Sequence, residues 1–246
     1  MIISSDQLRR YAKQLCLPEF GEEGQKRLLQ SGVLIIGCGG LGSAASYYLA
    51  SAGIGRLGIA DGDHVELSNL NRQIIHTTLD LNDKKTVSAE KKLKAYNPEI
   101  KVVKHPVRVN KKNVVELIKQ YDFILDCTDN FEARYVINDA CIRENKPFSH
   151  AGVKGFKGQT ITVIPGGEGP CYRCIFSKLP ENDHGSGIIG FVPGIIGTIQ
   201  AAEAVKYIAG IGRTLEGRLL TFDALSMEFR VIGLKRNKKC PACKNR

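Results

Sequence analysis

No stretch of eighteen apolar residues runs free of charge or clustered glycine, so a membrane-spanning helix is excluded. Nor does the start, Met1-Ile2-Ile3-Ser4-Ser5-Asp6, carry a basic segment followed by an apolar core, so no export signal is read and a cytoplasmic location is expected. Internal repeats are lacking too. With 43% hydrophobic and 24% charged residues, the composition excludes disordered, collagen-like and low-complexity chains. The 246 residues suffice for one compact body with a smaller attachment.

Acidic residues are the scarcer charge, 25 against 35 Lys and Arg, giving a net +10. Much of that excess is local: from Phe229 to Arg246 there are seven basic residues and no acidic one. Such a tail suits a solvated end, an acidic partner, a phosphorylated ligand or nucleic acid. With no recognisable reading helix or aromatic platform, a zinc-stabilised nucleic-acid binder is the least supported reading. Eight cysteines without an export signal point to metal or redox chemistry rather than a disulfide framework.

The apolar pattern alternates strands and helices. Ser4-Ser5-Asp6-Gln7 has the form of a capping box and predicts a helix from Asp6 to Leu15, followed by a second from Glu22 to Gln30. Gly32-Val33-Leu34-Ile35-Ile36-Gly37 reads as a strand buried on both faces. Then come a helix at Leu41–Ala52, a strand at Arg56–Ala60, a helix at Asp83–Tyr96 and a strand at Lys101–His105. A helix at Lys111–Gln120, a strand at Asp122–Asp126, a helix at Glu132–Glu144 and a strand opening at Pro147 follow. This alternation specifies an α/β doubly wound, Rossmann-like, mostly parallel sheet. Beyond Gly152 the pattern changes to a strand at Gln159–Ile164, a Gly/Pro/Cys-rich excursion, a helix at Gly197–Ala209 and strands at Arg218–Phe222 and Glu228–Leu234. These are expected to extend the sheet with C-terminal antiparallel strands, so that residues 1–246 form one domain. Within it, 1–30 supply N-terminal helices, 31–152 a nucleotide-binding half, and 153–246 the added strands, crossover segment and metal knuckles.

Gly37-Cys38-Gly39-Gly40-Leu41-Gly42 fits G-x-G-x-x-G between a strand and a helix. There, Gly37, Gly39, Gly40 and Gly42 let backbone N–H groups approach phosphate at a helix N-terminus. Asp61, nineteen residues after Gly42 and at the end of the next strand, is placed to accept ribose hydroxyls. NAD and ATP both fit these features. Asp63, Ser68, Asn69 and Arg72 follow directly, and Lys85 opens the next helix. A nicotinamide has no use for a guanidinium and an ammonium there, whereas a triphosphate has. Asp129, beside Asn130 after the carboxyl end of a later strand, can hold Mg²⁺. A dinucleotide-dependent oxidoreductase would leave Arg72, Lys85 and Asp129 without a task.

Cys171-x-x-Cys174 and Cys240-x-x-Cys243 are two knuckles separated by sixty-five residues, matching a tetrahedral Zn²⁺ site with no open position. Its expected work is to pin the basic tail, whose lysines and arginines would help to keep the thiolates ionised. Cys16, Cys38, Cys127 and Cys141 read as inert thiols, and the five histidines show no ligand spacing.

Taken together, Arg10-Tyr11-Ala12-Lys13-Gln14, Gly37–Gly42, Asp61-Gly62-Asp63, Ser68–Gln73, Asp126–Asn130 and the two cysteine pairs resemble the E1-like ThiF/MoeB/HesA family of adenylyltransferases over essentially the whole chain. The resemblance implies ATP- and Mg²⁺-dependent adenylylation of the C-terminal glycine carboxylate of a small ubiquitin-like sulfur-carrier protein. That reaction serves molybdopterin, thiamine or tRNA-thiolation chemistry; a peptide carboxylate or tRNA base is the alternative acyl substrate. It further implies a homodimer, with Asp61 on the ribose, Gly40 and Asn69 lining the site, Arg72 and Lys85 on the phosphates and Asp129 on the metal. Two positions depart from the family pattern. Lys13 stands where a second arginine reaches the neighbouring subunit's ATP, keeping the charge without the bidentate fork. Asp183 stands where many relatives carry a cysteine, and no cysteine lies between Cys174 and Cys240. The acyl-adenylate is therefore expected to be released or passed to an external sulfur donor.

Overall fold

The computed structural model describes residues 2–177 and 187–244. Asp183, His184, Gly185 and Arg246 lie outside them. Ser4 caps the first helix as its sequence predicts: its Oγ accepts the Gln7 amide at 3.2 Å and its own amide donates to Gln7 Oε1 at 3.0 Å. The expected single helix is in fact two, α1 (Ser5–Arg10) and α2 (Ala12–Leu15), broken at Tyr11. Tertiary contact causes the break. The Tyr11 ring is buried against Gly53, and its hydroxyl accepts from Asn97 Nδ2 at 3.0 Å. Helix α3 spans Gly21–Gln30.

The nucleotide half consists of β1 (Gly32–Ile36), α4 (Gly40–Ala52), β2 (Arg56–Ala60), α5 (Lys85–Tyr96), β3 (Lys101–His105), α6 (Val114–Ile118), β4 (Phe123–Asp126), α7 (Phe131–Arg143) and β5 (Phe148–Lys154). Two of these helices are shorter than their patterns predict. Lys84 is taken up by a bridge to His64, so α5 starts at Lys85. Asn110 and Asn113 fold residues 110–113 into side-chain-bonded turns, so α6 starts at Val114. The remainder comprises β6 (Lys157–Val163), α8 (Tyr172–Ile175), α9 (Phe191–Ala209), β7 (Arg218–Asp223) and β8 (Glu228–Gly233). Helix α9 begins six residues before its expected start. Pro193 sits in its first turn, where a missing N–H breaks no helical bond.

One eight-stranded sheet runs in the order β3-β2-β1-β4-β5-β6-β7-β8. The first five strands pair in parallel, and β5 through β8 pair antiparallel. Both faces are covered, as the unbroken apolar run of β1 requires. Val33 and Ile35 pack beneath α4, α5 and α9. Leu34 and Ile36 join α6, α7 and the cysteine-bearing C-terminal segment. Strand β8 lies at the edge with all six residues exposed.

Candidate active site and thiolate cluster

The parallel strands end on one side of the sheet, where the loops after β1, β2 and β4 meet. Gly37 takes a left-handed φ of +100°, and a Cβ on it would strike the Cys127 carbonyl at 2.6 Å. The glycine turn thus packs directly on the loop that leads to Asp129. Gly42, inside α4, lies so close to the Gly37 carbonyl that a Cβ would come within 2.1 Å.

Asp61 lies against this turn. Its Oδ2 accepts the Cys38 amide at 2.7 Å, and its Oδ1 accepts the Asp63 amide at 2.8 Å. Burial pushes the Asp61 carboxyl above its ordinary range, opposed by the Asp63 amide, the Lys85 ammonium and the Cys38 amide. Lys85 is buried, with Nζ 3.5 Å from Asp63 Oδ2, and Arg108 meets the other Asp63 oxygen at 2.9 Å. Burial works against ionisation of Asp63, but Arg108 and Lys85 together hold its carboxyl below the usual value. Asp63, expected at the nucleotide site, also holds Lys85 in place.

Ser68 and Asn69 belong to a short 3₁₀ turn in which Asn69 Oδ1 accepts the Glu66 amide at 3.2 Å. Arg72 follows, its Nη1 donating to the Ser68 carbonyl at 2.9 Å and to Asn71 Oδ1 at 2.8 Å. Among the described residues no carboxylate pairs with it, so its positive charge is uncancelled. Its carbonyl lies 3.4 Å from where a Gly40 Cβ would stand, which puts this segment against the glycine turn. Asp129 is exposed, and its carboxylate makes no hydrogen bond or ion pair among the described residues. Asn130 instead caps α7, its Oδ1 accepting the Ala133 amide at 2.9 Å. The fold therefore brings Gly37–Gly42, Asp61, Asp63, Asn69, Arg72 and Lys85 together, with Asp129 on the adjoining loop. Lys13 is exposed on α2, and no described contact joins it to this group.

Three residues that sequence reasoning passed over shape the site. Buried His76 bonds Ser88 Oγ at 2.8 Å and the Cys38 carbonyl at 3.3 Å, which ties the glycine turn to α5. Burial, aided by Lys92 and Lys85, lowers its pKa to about 4 against the pull of the Cys38 carbonyl, so the ring is neutral. Arg108, which lies outside every quoted motif, had no local signal. His150 bonds buried Asp126 at 2.9 Å. Burial keeps that imidazole neutral, and its hydrogen bond to Asp126, with the field of Arg134, outweighs the effect of burial on the carboxyl and keeps it ionised.

On the opposite face of the sheet, the sulfurs of Cys171, Cys174, Cys240 and Cys243 lie within 4.8 Å of one another. Three pairs are 3.5, 3.6 and 3.8 Å apart. A tetrahedron of thiolates about 2.3 Å from a central ion has edges of about 3.8 Å. The cluster therefore has the size and donor set for a single metal ion with no further opening. Burial raises the Cys240 thiol, but the Ala242 and Cys243 amides bring it below the ordinary value. The Cys171 and Cys174 thiols are instead raised, chiefly by burial. Arg236 donates to the Cys243 carbonyl beside the cluster.

No helix among the described residues is long and apolar enough to cross a membrane. The model of the ThiF family matches residues 11–242. The chain is 41% identical to the sulfur carrier protein adenylyltransferase of Thermus thermophilus, over 98% of this chain and 92% of that protein. It is 44% identical to the adenylyltransferase and sulfurtransferase MOCS3-1 of Zea mays, over 95% of this chain but 51% of that protein. It thus spans about half the length of that relative. Its fold is also that of E. coli MccB, with a TM-score of 0.88 at 23% identity, over 99% of this chain and 74% of that one.

Proposed function

This chain belongs to the ThiF family, and from that membership we propose that it is an adenylyltransferase for the C-terminal glycine carboxylate of a small ubiquitin-like sulfur-carrier protein. ATP is the second substrate. A carrier carboxylate oxygen attacks the α-phosphorus, the bond from that phosphorus to the bridging oxygen breaks, and pyrophosphate leaves behind an acyl-adenylate. The step needs no protein nucleophile, so the enzyme's work is positioning and neutralising developing charge.

The observation that carries this reading is the meeting of a glycine turn, Asp61, buried Lys85 and Arg72, which has no carboxylate partner among the described residues, where the parallel strands end. Gly37, Gly39, Gly40 and Gly42 would bring backbone to the phosphates, and Asp61 would take the ribose. Ser68 and Asn69 would line the site, with Asn130 supporting it through its cap. Arg72 and Lys85 would neutralise phosphate charge, and Asp63 would aim Lys85. Asp129 fits as the Mg²⁺ carboxylate because it is open at a strand end; the ion, when bound, would add charge neutralisation. The thiolate cluster fits Zn²⁺ in a closed structural role. A homodimer, with Lys13 acting on the partner's site, accounts for the lack of a contact, among the described residues, between Lys13 and the site of its own chain. The missing cysteine favours handing the acyl-adenylate to an external sulfur donor. Mass spectrometry would overturn that by finding the carrier bonded to a thiol of this chain. A dinucleotide oxidoreductase gains no support from these contacts; tight NAD(H) binding would restore it.

ATP–pyrophosphate exchange that depends on the carrier tests the assignment. Arg72→Ala and Asp129→Ala should each lower it by roughly 10²-fold, the usual scale for a lost charge contact in a transition state. Exchange near the parental rate in either variant removes that residue from the mechanism, and no carrier-dependent exchange in the parent overturns the reading.

A further inference from the structure

The residues on either side of Asp129 are tied down while its own carboxylate is left open. On one side, Thr128 donates its amide and hydroxyl to Asp126 Oδ1, at 3.1 and 2.7 Å, and its carbonyl accepts Arg134 Nη2 at 3.0 Å. On the other, Asn130 caps α7. A carboxylate meant only to stabilise the fold would not require such a rigid frame around an unbonded group.

The frame has a buried foundation. Asp126 is 1% exposed at the end of β4, and its Oδ2 accepts His150 Nδ1 from the register-matched position of β5. Among the described residues His150 Nε2 is buried with no partner, and the ring's hydrogen bond goes to Asp126. Two other elements hold this pair. Gln200 of α9 donates to the backbone carbonyls of both Asp126 and Ser149, at 3.0 Å each, which locks the two strand ends level. Tyr172 of α8 lies on the His150 ring with centroids 4.4 Å apart. The chain of contact runs from β5 through Asp126 and Thr128 to the backbone that presents Asp129.

We propose that His150 is a positioning residue for the adenylylation: acting through Asp126 and Thr128, it sets the turn that aims the Asp129 carboxylate at the nucleotide-bound divalent cation. The proposal rests on the reading of Asp129 as the metal carboxylate. Partners of metal ligands that orient them typically contribute 10- to 100-fold to metal affinity, so a measurable loss follows from breaking the relay.

The test is Mn²⁺ binding to the full chain with a non-hydrolysable ATP analogue, followed by electron paramagnetic resonance, with folding checked by thermal melting. Thr128→Val removes the hydroxyl link with little change of shape, and His150→Phe removes the donor. Each should weaken Mn²⁺ binding roughly tenfold, while analogue binding without metal stays within about twofold of the parent. His150→Asn, which can place an amide N–H near the Nδ1 position, should recover most of the affinity. A folded Thr128→Val chain that binds Mn²⁺ as the parent does overturns the relay, and if His150→Phe does not fold, Thr128→Val decides. Asp129→Asn separates the two claims. If it weakens Mn²⁺ binding while Thr128→Val does not, the relay alone fails. If neither weakens it, the metal assignment of Asp129 fails as well.

Discussion

Alanine at Gly42 sets two effects of known size against each other. In a helix interior, alanine is favoured over glycine by about 1 kcal/mol. At this position, however, the new methyl would stand 2.1 Å from the Gly37 carbonyl oxygen and 3.1 Å from Ile35 Cγ2. The obstructing atom is backbone, in a turn that is itself pressed against the Cys127 carbonyl. Overpacking of this kind costs about 1–3 kcal/mol, and a contact this short belongs at the upper end. Sterics therefore win by about 2 kcal/mol, which for a chain of this size lowers Tm by roughly 4–8 °C. Gly39→Ala is the control. Its φ of −86° suits alanine, and the nearest atom to the added methyl is Gln73 Nε2 at 3.8 Å. Its Tm should fall by no more than roughly 3 °C, the scale of a weakened N-cap, whereas pyrophosphate exchange should drop in both variants. Calorimetry and the exchange assay read the two effects separately. A Gly42→Ala protein that melts at or above the parental temperature refutes the steric argument.

His76 titrates near 4 in the folded chain and near its ordinary 6.5 when unfolded, so only the unfolded chain takes up this proton between those values. Its contribution to stability is complete above pH 6.5 and is lost as the pH falls toward 4, on the order of 2 kcal/mol after solvent screening. Denaturant titrations should show His76→Gln with a flatter pH dependence across that window; an equally steep fall excludes the histidine as its source. Chelating the metal, or Cys240→Ser, should lower Tm by roughly 5 °C or more, with metal analysis giving one zinc per chain. A melting curve that chelation leaves unchanged, or a chain isolated without metal, rejects the structural ion. Mixing Lys13→Ala chains with Arg72→Ala chains should restore exchange that each lacks alone, if Lys13 acts on the partner's site; no recovery places it elsewhere.

Contiguous patterns made much of this legible. The apolar run of β1 and the glycines after it announced a parallel strand feeding a helix, and the paired cysteines announced the thiolate cluster even across sixty-five intervening residues. Features decided by tertiary contact were hidden. Nothing local says that Tyr11 would be drawn inward and split a helix, or that Pro193 would sit inside α9 rather than before it. Arg108 and His76 carry no motif, and they matter only because β2, β3 and α5 bring them to Asp63 and Cys38. Asp126 stood in a quoted motif without a role of its own, because its significance depends on a neighbouring strand placing His150 level with it.

Joining Cys171 and Cys174 to Cys240 and Cys243 closes a loop that holds α9, β7 and β8. Confining that span of sixty-five residues removes chain freedom worth on the order of 4 kcal/mol. An ion held by all four sulfurs would therefore tie together the two ends of the segment that carries the helix and the outer strands. Without an ion that constraint would be gone and the four sulfurs would be free thiols, although α9 would still be held by its packing on the parallel strands.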